Sequence, residues 1–317
     1  MKIVFMGTPD FAIPTLEALL ESSHLVAGVV TRQDKPKGRG RKLLPSPVKA
    51  AAEKYGLPVL QPESLKSRAF LERLSEWGAD VFVVVAFLIL PPEVFKLPPK
   101  GTINLHASLL PKYRGAAPIQ WALINGENET GVTTFFIDEH VDTGNILLQE
   151  KVKIYPEDTA EVLRERLAYL GGKVMVRTLD LLERGELEPK PQAGEATRAP
   201  KIRKEDCEIN WSQPAGKIVN LIRGVSPVPG AFTYFRGKIF KIHRAKVSEH
   251  HTHAKGLPGE IVYVHSKKGL IVRSGEGTIE LIEVQPAGGK RMSALDFLRG
   301  HRIQKGEILG KSAQEKL

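Results

Sequence analysis

The sequence predicts an α/β protein, a doubly wound and mostly parallel sheet followed by a small β-barrel. Three observations predict it. From Lys2 to Arg184 short apolar strands alternate with helical segments, the βαβ pattern in which helices cover both faces of a parallel sheet. From Leu187 to Lys204 that pattern dissolves into Pro, Glu, Gly, Ala and Lys, the composition of a linker. Beyond it, short strands recur with turn residues between them, as in a small barrel. These breaks set a first domain at 1–188, a linker at 189–205 and a second domain at 206–317.

The elements follow in order. Lys2–Met6 is a short apolar strand, and Phe11–Leu20 spaces its apolar residues at helical period. Leu25–Thr31 reads as a buried strand. Pro47–Tyr55 is a short helix, with Ser46 as N-cap and Pro47 at the first helical position. Pro58–Leu60 is a brief strand and Ser64–Trp77 a helix. Val81–Phe87 is a β-branched run typical of a parallel strand covered on both faces. Gly101–Leu105, Gly131–Ile137 and Ile146–Ile154 continue the sheet, with Ala117–Ile124 helical between the first two. Thr159–Arg184 is a long helix interrupted at Gly171-Gly172. After the linker, Ala215–Ile222 is helical, and Ala231–Phe235, Ile239–Lys246, Gly259–His265, Gly269–Arg273 and Thr278–Val284 are strands.

Charge narrows the partners. The chain carries 46 Lys+Arg against 36 Asp+Glu, a net charge of +10. Residues from Asp206 onward hold 18 of the basic and 10 of the acidic residues, so most of the excess lies in the last third. Such asymmetry suggests a polyanion-binding module beside a near-neutral domain, against the alternative of a solvated surface. One segment of the first part also concentrates charge. Arg32, Lys35, Lys37, Arg39, Arg41 and Lys42 are opposed by Asp34 alone, and Pro36, Gly38 and Gly40 favour an exposed loop. A single cysteine, Cys207, excludes an internal disulfide framework and a Cys-rich zinc site. The longest apolar run, Val81–Leu90, falls short of the ~20 residues that span a bilayer. With no hydrophobic leader at Met1–Gly7, a cytoplasmic protein is expected.

Four stretches could carry chemistry. Gly7-Thr8-Pro9-Asp10 follows the first strand, where open sheets bind ligands, but lacks the further glycines of a dinucleotide fingerprint and serves equally as a tight turn. Asn104 and His106 sit two apart at the end of a central strand, so both side chains share a face. An amide and an imidazole together suit a developing oxyanion, or else form a pair of strand-end polar groups bonded to loops. Asp138, Glu139, His140 and Asp142 follow another strand end, where a carboxylate could charge an imidazole or accept a proton, or make an Asx-turn. His250, His251 and His253 form a histidine-rich patch without further spaced metal ligands, which favours a solvated loop and no metal site.

Several stretches together resemble the methionyl-tRNA formyltransferase family. They are Phe5–Phe11, Lys37–Leu43, Pro45–Lys49, Ile103–Pro111, Arg114–Gln120, Asp142–Gly144 and, in the last third, Gln285–Gly288 and Met292–Ala294. The Asn104-to-Pro111 segment is shared by folate-dependent formyltransferases at large, including those acting on nucleotide sugars or ribonucleotide amines. The basic loop and the C-terminal module narrow the resemblance to the tRNA enzymes. The resemblance implies a Rossmann-like catalytic domain and an OB-like barrel. It implies catalysis by Asn104, His106 and Asp142, and a tetrahydrofolate site lined by Ser108, Leu109, Leu110, Pro111, Phe87 and Leu88. It implies that Arg32, Lys35, Lys37, Arg39, Arg41 and Lys42 meet the acceptor end of methionyl initiator tRNA. The formyl donor is then 10-formyltetrahydrofolate, with no metal, no membrane and a monomeric chain. One departure stands out: the family's Gly between the aromatic residue and Leu-Ile-Leu-Pro is missing, so Ala86-Phe87 runs straight into Leu88.

Overall fold

A computed structural model describes residues 1–37, 42–249 and 255–311. The chain forms two compact units. The first comprises 1–118, 129–153 and 164–200; the second comprises 119–128, 154–163 and the residues from 201 onward.

In chain order the elements run β1 (Lys2–Gly7), α1 (Ile13–Leu20), β2 (Leu25–Val30), β3 (Lys35–Lys37), β4 (Lys42–Leu44), α2 (Pro47–Lys54) and β5 (Val59–Leu60). They continue through α3 (Arg68–Glu76), β6 (Val81–Val85), α4 (Pro92–Phe95), β7 (Thr102–His106), α5 (Pro118–Ile124), β8 (Glu129–Phe136), β9 (Ile146–Lys153) and α6 (Ala160–Arg184). Seven strands make one sheet in the order β5-β2-β1-β6-β7-β8-β9. Pairing is parallel from β5 to β7 and antiparallel on both sides of β8. The strands from β5 to β7 need both faces covered. On one face Val4, Met6, Phe82 and Val84 pack against Phe70 and Leu74 of α3 and Val94 and Phe95 of α4. α1 and α6 pack together elsewhere in this unit, because Gly172 lets α6 close on the backbone of Pro14.

Local signals account for several helix ends. The Ser46 side chain accepts from Lys49 N at 3.0 Å, the expected cap. The cap of α3 is Ser67, which accepts from Phe70 N, so that helix starts later than Ser64. The expected break at Gly171-Gly172 does not occur, and α6 runs unbroken through both. A Cβ on Gly171 would sit 2.5 Å from Leu105 Cδ2, and one on Gly172 2.8 Å from Pro14 O. The pair is there for close approach, not for a turn. The segment expected to be an exposed loop instead forms β3 and β4, which pair antiparallel with Pro36 opposite Leu43.

The second unit adds α7 (Ala215–Gly224), β10 (Ala231–Phe235), β11 (Lys238–Val247), β12 (Ile261–His265), β13 (Gly269–Arg273), β14 (Thr278–Pro286), β15 (Met292–Ser293) and α8 (Ala294–Gly300). Its sheet runs β10-β11-β14-β13-β12, antiparallel throughout, with β15 on β14. The segment after α8 joins the two edges. Leu309 N donates to Gly259 O at 2.7 Å beside β12, and Gly310 N to Tyr234 O at 2.8 Å on β10. That closure makes a barrel and leaves no long unpaired edge. Ile218 and Ile222 of α7 and Phe297 of α8 bury against Phe240, Ile242, Leu281 and Val284. α8 was not anticipated, although Ser293 caps it by accepting from Asp296 N at 3.0 Å.

An imidazole is among the polar groups buried in this unit. His243 is buried, and its Nε2 lies 3.0 Å from Gln285 Oε1. Gln285 Nε2 donates to Gly289 O, which turns its Oε1 toward the ring, so His243 Nε2 is the donor. Its Nδ1 has no partner among the described residues. Burial, with smaller help from Arg291 and Lys241, holds this imidazole below its ordinary value of 6.5. The unfolded chain therefore takes up a proton near pH 6.5 that the folded chain refuses. Stability from this source is full above about pH 6.5 and is lost as pH falls toward the lowered folded value. Thermal melts between pH 7.5 and 5.5 should show a smaller loss of stability in His243→Gln than in the parent chain. Equal slopes would remove His243 as the cause.

Candidate active site at the carboxyl edge of the sheet

β1, β6 and β7 end side by side, with Gly7 opposite Val85 and Val84 opposite Asn104. The chain winds outward from β1 to β2 and β5 on one side, and through β6 to β7 on the other. Such a reversal leaves a ligand crevice at the carboxyl ends of the strands. The Gly7–Asp10 turn, the Ala86–Pro91 segment and the Asn104–Pro111 segment all leave the sheet at this edge.

Asn104 and His106 share one face of β7, and His106 is buried. His106 Nε2 lies 2.8 Å from the Tyr113 carbonyl oxygen. A carbonyl only accepts, so Nε2 carries a proton. Nδ1 faces Asp142 Oδ2 at 3.7 Å, within ion-pair reach but too far for a direct hydrogen bond. Asp142 Oδ2 is itself held by Gly115 N at 2.8 Å. A second proton on Nδ1 would face a fixed carboxylate, and Nδ1 is the nitrogen left for a substrate oxygen or nitrogen.

The strand pattern did not place Asp142 beside His106; the loop after β8 does. Ile137 N bonds Thr102 O, and the chain then returns to pair Phe136 N with Asn145 O. Between these ties Asp142 adopts φ 56°, a left-handed conformation that Asp tolerates better than most residues. The neighbouring candidates have other work. Asp138 accepts from His140 N and Thr143 Oγ1, an Asx-turn, and Glu139 pairs with Lys96. Ala86 (φ 49°) and Tyr113 (φ 62°) are also left-handed, so three of the four such non-glycine residues among those described belong to loops of this site. Conformations of this kind cost roughly 1–2 kcal/mol each and gather where function over-determines the backbone. At Ala86 the chain bends as it leaves β6.

The six residues expected to line a folate pocket divide by exposure. Ser108 is fully buried and donates to Lys112 O at 2.6 Å, and Leu110 is buried too. Leu109 and Pro111 are half-buried, Phe87 packs partly on the core, and Leu88 is exposed. The buried pair shapes the loop, whereas Phe87, Leu88, Leu109 and Pro111 have surface to offer a ligand. Sequence reasoning missed the residues that pin this loop from behind. Thr133 Oγ1 donates to Ser108 O at 2.6 Å and accepts from Leu110 N at 3.2 Å, and Gln149 Nε2 donates to Leu110 O and Thr133 Oγ1. No local motif marks Thr133 or Gln149; they lie within ordinary strands.

The basic segment leaves the same sheet edge after β2, three strand spacings from β7, or about 14 Å. Arg32 and Lys35 are exposed, and Lys37 and Lys42 pair through their backbones in β3 and β4. Arg39 and Arg41 lie outside the described residues, as do His250, His251 and His253. Asp34 accepts from Lys49 Nζ and Gln61 Nε2, each at 2.7 Å, and these bonds hold its carboxyl below the ordinary range. The segment's one acid thus anchors its base. In the second unit burial pushes the Cys207 thiol up to about 11, leaving it protonated and inert. No cluster of three or more His, Cys, Asp or Glu able to hold a metal occurs among the described residues.

Residues 1–179 match the formyl transferase family model, and 201–302 match the model for the formyl transferase C-terminal domain. The chain is 48% identical over 313 residues to the methionyl-tRNA formyltransferase of Pelotomaculum thermopropionicum, covering 98% of this chain and 99% of that one. It is 47% identical over 312 residues to that of Syntrophus aciditrophicus, with 98% and 99% covered. Among solved structures the fold is similar to HypX from Aquifex aeolicus in complex with tetrahydrofolic acid, with a TM-score of 0.65, 19% identity, and 98% of this chain and 51% of that one covered. It is also similar to the sugar 3N-formyl transferase WlaRD, with a TM-score of 0.62, 22% identity, and 89% and 97% covered.

The buried hydroxyl of Thr133 yields a direct test. Thr133→Val keeps the shape but leaves Ser108 O, Leu110 N and Gln149 Nε2 short of a partner. It should lower stability by about 1–3 kcal/mol, read from denaturant unfolding. A loss within the error of the measurement would show that these bonds are replaced by water.

Proposed function

The chain belongs to the methionyl-tRNA formyltransferase family, and on that premise we propose that it moves the formyl group of 10-formyltetrahydrofolate to the α-amine of methionyl initiator tRNA. The product is N-formylmethionyl-tRNA for translation initiation. The observation that carries the chemistry is the imidazole of His106, with Nε2–H spent on the Tyr113 carbonyl and Nδ1 facing Asp142.

An α-amine has an ordinary pKa of about 7.7–8.0, so a useful fraction is neutral near pH 7. Its lone pair attacks the formyl carbon and forms the new N–C bond. The carbonyl oxygen becomes an oxyanion, for which Asn104 and a protonated His106 are the donors. One such donor is worth about 3–4 kcal/mol of barrier. Asp142 balances the charge on His106 and passes on the proton that the attacking nitrogen sheds. Collapse of the intermediate breaks the bond between the formyl carbon and the folate nitrogen, which leaves protonated. No covalent enzyme intermediate is needed. Phe87, Leu88, Leu109 and Pro111 supply apolar surface for the folate.

The domain of residues 1–188 does this chemistry, residues 189–205 lead out of it, and residues 206–317 hold tRNA. The enzyme works as a monomer in the cytoplasm. Lys238, Lys267, Lys268, Lys290 and Lys305 are exposed and form no ion pair among the described residues, whereas Arg236, Lys246, Arg291 and Arg299 pair with acids. The unpaired lysines suit phosphates, whose neutralisation releases counterions and makes binding fall steeply with salt. The Arg32–Lys42 segment, leaving the edge that bears His106, suits the acceptor end of the tRNA.

Formyl transfer should be seen with methionyl initiator tRNA and much less with methionyl elongator tRNA; none with the initiator would end this reading. Asn104→Ala and His106→Ala should each lower turnover by about 10²–10³-fold or more while tRNA affinity stays within a small factor. A large loss of tRNA binding in either variant would contradict the assignment. Arg39→Ala should reduce turnover on initiator tRNA more than Lys267→Ala does, because a guanidinium fork reads phosphate and base edges that an ammonium cannot. Equal effects would reduce the loop to general electrostatics.

A further inference from the structure

The stretch from Lys190 to Ala199 has no regular secondary structure, yet it is stitched to both loops that face His106. Lys190 and Ile146 exchange two backbone hydrogen bonds of 2.8 and 2.9 Å at the start of β9. Gln192 then spends its whole amide. Nε2 donates to the carbonyls of Asp142 and Gly144, each at 2.9 Å, and Oε1 accepts from Arg114 Nη2 at 2.7 Å and Nε at 3.2 Å. Thr197 Oγ1 accepts from Tyr113 N at 2.9 Å, and Thr197 O from Arg114 N at 2.9 Å. Ala199 N donates to Arg114 O at 2.7 Å, and Ala117 N to Ala199 O at 3.1 Å. Gly115, at φ 124°, makes room for this approach, since a Cβ there would lie 2.7 Å from Ala199 O.

The two loops so joined bear the two partners of His106. Tyr113 O takes Nε2, and the Asp142 carboxylate faces Nδ1. Both residues are left-handed, a conformation that costs free energy unless the surroundings hold it. Gln192 is chemically suited to span them. Two N–H groups meet two carbonyls on one loop, and one oxygen meets the guanidinium of the other. Glu would keep the guanidinium but set a carboxylate against two carbonyls. Ala would remove this bridge and leave the bond from Gly115 N to Asp142 Oδ2 as a remaining tie between the loops.

We infer that Gln192 and Thr197 are positioning residues for catalysis, setting the distance between Asp142 and the imidazole of His106. This rests on the reading above that His106 and Asp142 carry the formyl transfer. Neither residue touches the reacting atoms; each acts through the loop it holds.

The test compares full-length Gln192→Ala, Gln192→Glu, Thr197→Val and Thr197→Ser with the parent, in steady-state formyl transfer from 10-formyltetrahydrofolate to methionyl initiator tRNA. Gln192→Ala and Thr197→Val should lower kcat by about ten- to a hundredfold. KM for each substrate should stay within about twofold, the signature of a loss confined to the transition state. Gln192→Glu should be at least as slow as Gln192→Ala. Thr197→Ser, which restores the acceptor for Tyr113 N, should recover most of the lost rate. Thr197→Val is close in shape to the parent and keeps the test open should Gln192→Ala fail to fold. A kcat near the parent's for a folded Gln192→Ala or for Thr197→Val overturns the proposal, as does a loss carried by KM. His106→Ala is assayed alongside. If it transfers formyl at the parent rate, the assignment of the centre fails and this proposal with it. If it is inactive while Gln192→Ala is unimpaired, only the positioning role falls.

Discussion

The ring of His106 is buried, and both of its nitrogens face oxygen acceptors. A buried imidazole so placed is useful only if its surroundings fix which nitrogen is occupied. The Tyr113 carbonyl does so by engaging Nε2, which turns Nδ1 toward the carboxylate and toward whatever enters the edge of the sheet. Much of the neighbouring architecture serves that arrangement. β7 supplies the ring, and Thr133 on the next strand holds the loop that follows. Gly115 donates to Asp142, and two left-handed residues aim the partners. None of these bonds is strong alone, since a typical net contribution is about 1 kcal/mol. Their value is geometric: an oxyanion donor misplaced by 1 Å loses most of its worth.

The second unit solves a different problem. It carries many exposed cations around a buried core. Closure of the sheet by residues 306–310 ties off its edges, so the surface can be given over to lysine and arginine. Some of that charge is neutralised in place. Arg291 pairs with Glu283, which holds that carboxyl below its ordinary range, and Lys246 pairs with Glu280. The lysines outside such pairs are the ones available to neutralise phosphates and release the phosphates' counterions. On the function proposed above, charge on the barrel grips without reading sequence and the shorter basic run after β2 discriminates.

How much could be read in advance depended on how local each cause is. The cap at Ser46 and the buried run from Val81 are set by neighbours in the chain, and both stand where the pattern put them, although that strand ends at Val85, two residues before the expected Phe87. Where the cause lies across the fold, local reading failed. Gly171 and Gly172 look like a helix break, yet they admit Leu105 and Pro14 to the helix surface. The helix expected from Ser64 begins only after Ser67, whose hydroxyl caps it. β3 and β4 were hidden because lysines, Pro36 and glycines outweigh three-residue strands in any composition argument.

The sequence by itself determined the order of the longer strands and helices, the asymmetry of charge, and the presence of Asn104, His106 and Asp142 in segments that end or follow strands. Periodicity and composition act over a few residues, so they survive without the fold. Only the tertiary structure decided that Asp142, not Asp138 or Glu139, faces His106, that Nδ1 is the nitrogen left for chemistry, and that Ser108 and Leu110 shape the loop from inside. It also drew Gln192 and Thr197 in from a stretch that composition marks as linker. The physical reason is the same in each case. A hydrogen bond between residues tens of positions apart depends on where two loops end, and no periodicity along the chain encodes that.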